Sequence, residues 1–477
     1  MDTPRSAPLW QHQKEAIEFL VSKRAGALFT QPGSGKTRTM CEVIRALCKD
    51  KVSYNILIVA PKAVCELEVW QDNITQWASD IAPSLFIHTL YNLPCRKIVD
   101  EFKQQSLFTN HLYIINYDKI WRECQNEFIK THWDIVILDE SHKIKSAGSK
   151  VSRFFHRLSI KNNIDHKYIM TGTPLYSSPL DIYGQYRFLD DTIFGTNFNK
   201  FQEEYCNIDQ TLTRICGYTV LNKQNPFRDM AKLQQRIGLR AYVTDNYIDL
   251  PDTHHINVHY TPGKTIVSAI NGLKQEGYWK DKFGEIATTN SGQKLMKVHQ
   301  LTSGFCYYTN PEALRQIDNA RLYALKGIIE QLQGRPIVVF YRFNYDATQI
   351  MYHLMPYLQS EEDSKIAILS GTRHMPPNGV KLLTIQEWIA GECNIILVQG
   401  QAGSEGIDLT RACNTIYYSK VLSYGLYEQS IARTHRPGQT NKCTYYHILG
   451  TPLDNHIMDS FNQKKDVTTL SFITSKN

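Results

Sequence analysis

Short β-branched apolar runs alternate with amphipathic stretches along the first third of the chain. The runs at 26–30, 55–60, 111–117, 134–140 and 167–172 read as strands. Between the second and third of them, Val64, Leu67, Trp70, Ile74 and Trp77 recur at helical spacing and predict one helix across 64–78. Strands that alternate with helices must be covered on both faces, which predicts a parallel sheet. The same pattern returns at 336–341, 365–370, 394–399, 414–419 and 443–449. The chain is therefore expected to be α/β with two lobes, residues 1–250 and 251–477. Roughly 190–333 reads as polar and largely helical. It is expected to form a helical protrusion on the first lobe (about 190–250) and a helical insertion in the second (about 264–333). Pro251 and Pro262 would interrupt any helix, so 249–264 reads as a hinge, with His254 and His255 as exposed linker residues.

A chain of 477 residues, 42% hydrophobic, can bury more than one core. Its apolar runs are strand-sized, and the opening MDTPRSAPLW lacks the apolar centre of a secretory signal. A cytoplasmic protein without a membrane partner is expected. Eleven cysteines are scattered singly, with no C-x-x-C pair, which points to reduced thiols and to neither a disulfide framework nor structural zinc. A net charge of +7 suits a polyanionic partner without identifying one.

The chemistry concentrates in two places. TQPGSGKT, Thr30 to Thr37, falls between a strand and a helical segment. Gly33 and Gly35 allow a tight turn whose backbone N–H groups wrap phosphates at a helix N-terminus. Lys36 can reach the terminal phosphates and Thr37 can hold magnesium, so Pro32, Gly33, Ser34, Gly35, Lys36 and Thr37 form a candidate ATP site. Thr30 stands where the G-x-x-x-x-G-K-[ST] pattern has its first glycine. The second place is VILDESHKIKSAGS, where a buried strand ends in two acids. Asp139 suits a magnesium ion, held through water, and Glu140 suits the orientation or deprotonation of an attacking water. ATP and Mg2+ are the expected cofactors.

With these motifs in place the chain resembles helicase superfamily 2, and within it the compact Snf2-like ATPases, some of them phage-encoded. The resemblance runs nearly end to end. LWQHQKEAIEFL resembles the Q-containing entry motif, with Gln13 as an adenine contact; 58–64 and 114–118 resemble motifs Ia and Ib. DESHKIKS resembles the DEAH-type box, and KYIMTGTPLYSSPLDIYGQYRFL the T-G-T-P-L run with its following helix. Residues 338–343, 400–418 and 428–439 resemble motifs IV, V and VI. The resemblance implies two RecA-like lobes. It also implies that Gln429, Arg433 and Arg436 act from the second lobe, the arginines three apart on one helical face and able to stabilise phosphoryl charge. Gly406 and Asp408 would contact nucleotide, and Thr171, Gly172 and Thr173 would relay its state. Nucleic acid would meet Pro61, Lys62, Asn116, Tyr117, Gly403 and Ser404, with Lys143, Lys145 and Lys150 adding positive field. The chain departs from the family pattern in Ser141 of D-E-S-H, expected to change little, in Asp408, often Asn, and in LRAYVTDNYIDLP, which keeps only Arg240.

The expected activity is a Mg-ATP-dependent, DNA-stimulated motor. It would translocate on double-stranded DNA to remodel forks, recombination intermediates or protein–DNA complexes. Two rivals stay open on the residues. One is a strand-separating DNA or RNA helicase, with single-stranded DNA or RNA as its partner, and the other an ATP-gated DNA-binding clamp that hydrolyses slowly. The lysines of 190–333 fit DNA contacts or a docking surface for a protein partner equally well.

Overall fold

A computed structural model describes residues 8–49, 53–103, 109–172, 174–175, 178–216, 219–222, 225–244, 250–310, 312–332, 334–358, 364–372, 374–377, 380–401 and 407–467. The chain divides into two compact units, Met1–Ile248 and Asp249–Asn477.

The first unit is built on a seven-stranded sheet: β1 (Ala25–Thr30), β2 (Asn55–Ala60), β3 (Leu85–Thr89), β4 (Asn110–Asn116), β5 (Ile135–Asp139), β6 (His166–Thr171) and β7 (Ala241–Thr244). Its order is β3-β4-β2-β5-β6-β1-β7, and every pairing is parallel. The side-chain period of two explains the apolar runs. In β2, Ile56 and Ile58 enter one core with Val43, Trp70 and Ile137, while Leu57 and Val59 enter another with Tyr113, Leu138 and Phe155. Each fully buried Val, Leu or Ile contributes about 1.5–3 kcal/mol. The five anticipated strands form the inner part of the sheet. The edges β3 and β7 are short and only partly buried, so they leave no apolar run to read. The helix expected across 64–78 is instead two, Lys62–Glu66 and Val69–Trp77, broken where Glu68 takes the left-handed conformation (φ 52°).

The second unit contains β8 (Thr253–His259), β9 (Tyr278–Asp281), β10 (Gly284–Ala287), β11 (Phe305–Thr309), β12 (Glu312–Gln316), β13 (Ile337–Tyr341), β14 (Ser364–Leu369), β15 (Val380–Leu383), β16 (Ile395–Gln399), β17 (Asn414–Tyr417) and β18 (Cys443–Leu449). Seven of these form a second all-parallel sheet, ordered β15-β14-β16-β13-β17-β18-β8. The segment expected as a hinge is thus largely an edge strand, because Pro251 and Pro262 flank Thr253–His259 rather than interrupt it. His254 and His255 belong to that strand, and His255 stacks on Tyr445 with its Nδ1 3.1 Å from His447 Nε2. The insertion is helical at Lys264–Glu276, Ser291–Thr302 and Ala320–Gln331. It also carries two antiparallel hairpins, β9–β10 and β11–β12, whose alternation was masked by surrounding lysines and tyrosines. At the centre of this unit, fully buried Arg321 pairs with Asp454 at 2.5 Å and also donates to the carbonyl of Tyr418. Among the described residues no helix is long and apolar enough to cross a membrane.

Candidate active site

In the first unit the motifs lie at the carboxyl ends of three neighbouring strands, in the order β5-β6-β1. β1 ends at Thr30, and the chain reverses through Gly33 (φ 82°) and Gly35 (φ 78°) before the helix Lys36–Cys48 begins. The reversal needs glycine at Gly35 for a second reason: a Cβ there would come within 2.2 Å of Gln13 Nε2. Gln13, itself buried, accepts from the backbone N–H of Trp10 at 2.9 Å and donates to the Ser34 carbonyl at 3.4 Å. His12 reaches the same carbonyl through Nε2 at 3.0 Å. Thr30, the departure from the phosphate-loop pattern, closes the loop with a hydroxyl contact of 2.6 Å to Ser34. Lys36 Nζ donates to the carbonyls of Thr30 and Gln31 at 2.9 and 3.1 Å, and Pro32 packs where a Cβ on Gly172 would meet it at 3.0 Å.

β5 ends in Asp139, whose carboxylate is buried. Burial first, and then the neighbouring Glu140, push its pKa up to about 7, while Trp70 and Lys36 pull the other way. Trp70 Nε1 donates to Asp139 Oδ2 at 3.1 Å, and the Tyr117 hydroxyl donates to the Asp139 carbonyl at 2.7 Å. Glu140 sits in the left-handed region (φ 51°), which turns the chain sharply off the strand. Its Oε2 accepts from Thr171 Oγ1 at 3.1 Å, and His142 Nδ1 lies 3.1 Å from the same hydroxyl and 3.3 Å from the same carboxylate.

These residues fit a magnesium–nucleotide complex. A nest of amides at a helix N-terminus accommodates phosphates, and the buried Asp139 carboxylate, its pKa raised by burial and by the neighbouring Glu140, is an environment that a divalent cation compensates. Thr37 and Asp139 would hold the ion. Lys36 and the backbone N–H groups of Gly33–Thr37 would hold the phosphates.

Of the expected nucleic-acid contacts, Pro61 and Lys62 follow β2, and Lys62 is an exposed side chain paired with Glu66 at 3.2 Å. Asn116 ends β4. Tyr117 is packed in the core, 7% exposed, and its hydroxyl donates to the Asp139 carbonyl. Lys143 is exposed, whereas Lys145 is partly buried and paired with Asp181 at 3.3 Å. Thr171 and Gly172 end β6 beside the loop. Thr173, Gly403, Ser404 and Gly406 lie outside the described residues.

In the second unit, Gln429 and Arg433 are buried on the helix Tyr424–Thr434. Arg436 lies beyond that helix, which corrects the expectation of two arginines on one helical face. The residue before Pro437 is biased away from helical backbone, and the helix ends at Thr434. Arg436 instead donates to the Ile407 carbonyl at 3.2 Å and sits 3.9 Å from Asp408, while Asp408 also accepts from the Thr410 N–H at 2.9 Å.

Sequence reading missed Trp70, His12 and Gln185 as partners of the site. Trp70 was visible only as a helical core position and Gln185 only as one residue of a long motif. A buried tryptophan N–H and a buried amide both require acceptors, and that requirement becomes specific once the strand ends are known.

A model of the SNF2-related domain matches residues 12–301, and one of the helicase conserved C-terminal domain matches 320–438. The chain is similar to putative protein p41 of Acyrthosiphon pisum secondary endosymbiont phage 1, at 21% identity with 96% of each chain covered. It is similar to the ISWI chromatin-remodeling complex ATPase ISW2 of Saccharomyces cerevisiae at 23% identity, covering 93% of this chain and 39% of that one. It is 26% identical to the DNA excision repair protein ERCC-6-like of Danio rerio across 42% of its length, spanning only 14% of that relative. Among solved structures it is similar to the Sulfolobus solfataricus SWI2/SNF2 ATPase core in complex with dsDNA, at 16% identity, 98% and 92% coverage and a TM-score of 0.42.

Proposed function

The chain belongs to the SNF2-related family of helicase-type ATPases, and on that premise we propose that it is a Mg-ATP-dependent, DNA-stimulated motor that translocates on double-stranded DNA. The observation that carries this reading is the convergence of Lys36, Asp139, Glu140 and Thr171 at the ends of β1, β5 and β6, three adjacent strands. The name of one relative, a chromatin-remodeling complex ATPase, supports a motor working on DNA.

In this reading Lys36 and the loop amides bind the phosphates of ATP, and Gln13, latched to Trp10 and Ser34, borders the base. Magnesium, when bound, neutralises phosphate charge. Glu140 orients the attacking water and takes its proton; Thr171 and His142 hold that carboxylate in place. Arg433 and Arg436 supply positive charge from the second unit, as arginine fingers do, with Gln429 beside them. Pro61, Lys62, Asn116, Lys143, Gly403 and Ser404 contact the DNA backbone, and Thr171–Thr173 relay nucleotide state. The insertion at 264–333 docks a protein partner, and the protein works in the cytoplasm.

Steady-state ATP hydrolysis with no nucleic acid, duplex DNA, single-stranded DNA and RNA tests the reading, with Lys36→Ala as the background control. Stimulation by duplex DNA that weakens with salt is the expected result. Stimulation by RNA or single strands alone would favour a strand-separating helicase instead.

A further inference from the structure

The D-E-S-H box departs from D-E-A-H by one hydroxyl, and that hydroxyl is committed. Ser141 Oγ, fully buried, donates to Gln185 Oε1 at 2.7 Å across a separation of 44 residues. Gln185 is also fully buried. Its Nε2 donates to the Pro174 carbonyl at 2.7 Å and to the carbonyl of Asp181, the N-cap of its own helix Ile182–Leu189, at 3.0 Å.

Each of three consecutive box residues is therefore tied to the end of β6 or to Pro174 beyond it. Glu140 and His142 hold Thr171, the last residue of β6, and Ser141 reaches Pro174 through Gln185. The helix packs directly against the box: Gly184 faces the carbonyls of Ile144 and Lys145, where a Cβ would come within 2.2 and 2.6 Å. Lys145–Asp181 and Arg187 to the Ala147 carbonyl (3.1 Å) brace the same contact from either side. A buried amide with three satisfied hydrogen bonds has one comfortable rotamer, so a displacement of the box carries the amide, and with it the Pro174 carbonyl.

We propose that Ser141 and Gln185 are a positioning pair that transmits the state of the nucleotide site to Pro174 and the helix Ile182–Leu189. This rests on the ATPase reading above. Neither residue touches nucleotide; they act through Glu140 and Pro174.

Hydrogen exchange by mass spectrometry on the full chain, with and without a non-hydrolysable ATP analogue and magnesium, reads the transmission directly. Wild type is expected to change exchange at the phosphate loop and across 174–187 together. Gln185→Leu should keep the phosphate-loop change and basal hydrolysis while losing the change at 174–187, and duplex-DNA stimulation should fall about tenfold. Ser141→Ala combined with Gln185→Leu removes both partners of the Ser141–Gln185 bond, so it should match Gln185→Leu in transmission while recovering part of its melting temperature, the Pro174 and Asp181 carbonyls still lacking the amide. A Gln185→Leu chain with wild-type exchange at 174–187 would overturn the pairing. So would proportional loss of basal activity, stimulation and melting temperature that the double variant repairs, since that marks packing alone. A wild type with intact transmission and no stimulation by any DNA would leave the pair standing and refute the motor. No analogue protection at the loop would overturn both.

Discussion

Thr171 Oγ1 donates to Glu140 Oε2 at 3.1 Å, and the two residues follow paired positions, Met170 and Asp139, on neighbouring parallel strands. The contact places the candidate general base under the control of the turn that follows β6. It also separates two roles of the carboxylate, as hydrogen-bond acceptor for Thr171 and as base for water. Glu140→Gln keeps an acceptor oxygen at the same reach and removes the base. Its kcat should fall about 10²–10⁴-fold while nucleotide affinity stays within about threefold. Single-turnover hydrolysis and fluorescent-nucleotide binding on the same preparation check this.

Gly35→Ala should abolish nucleotide binding without unfolding the chain. The substitution puts a side chain at φ 78° and drives a Cβ to 2.2 Å from Gln13 Nε2. Adding Gln13→Ala relieves the clash but not the backbone strain, so the double variant should recover only part of the affinity. Thermal shift with saturating Mg-ATP reports it: wild type gains several degrees and Gly35→Ala gains none.

Trp70→Phe keeps an aromatic ring in the core, with some loss of volume, and removes the indole N–H that donates to Asp139 Oδ2 at 3.1 Å. A hydrogen bond to a charged group contributes about 1.5–3 kcal/mol, so Mg2+ affinity in the presence of nucleotide should weaken about tenfold. Magnesium titration of ATP hydrolysis measures it. A change in maximal rate with no change in half-saturating magnesium would assign Trp70 to packing alone.

Arg321→Leu should destabilise the second unit by about 3–5 kcal/mol, because it leaves Asp454 buried without its guanidinium partner. Arg321 holds the Asp454 carboxyl below its ordinary value of 3.8 despite burial. The pair's contribution is therefore present above about pH 4 and is lost as pH falls through the depressed folded value. Chemical denaturation at pH 7 and pH 3.5 should show the wild type and variant far apart at the first and closer at the second.

The inner strands, the phosphate loop and the acidic box were legible because each is a strong local signal: a continuous apolar run, a fixed glycine spacing, two acids after four buried residues. β3, β7 and β8 were not, since edge strands need only half a face of apolar residues, and THHINVH in β8 looks like any polar linker. Arg436 was misplaced because spacing on a helix presumes that the helix continues, and Pro437 ends it. Ser141 was read by size alone. Its hydrogen bond to Gln185 depends on a contact between distant segments that no local pattern encodes.

Displacement of a triplex-forming strand from duplex DNA tests translocation most directly, because it requires movement along the double helix without strand separation. The wild-type protein with Mg-ATP should release the third strand at a rate that depends on ATP concentration and leave the duplex intact, while Glu140→Gln and Lys36→Ala should release none. Robust DNA-stimulated hydrolysis with no release of the third strand, from either side of the triplex, would contradict a duplex translocase.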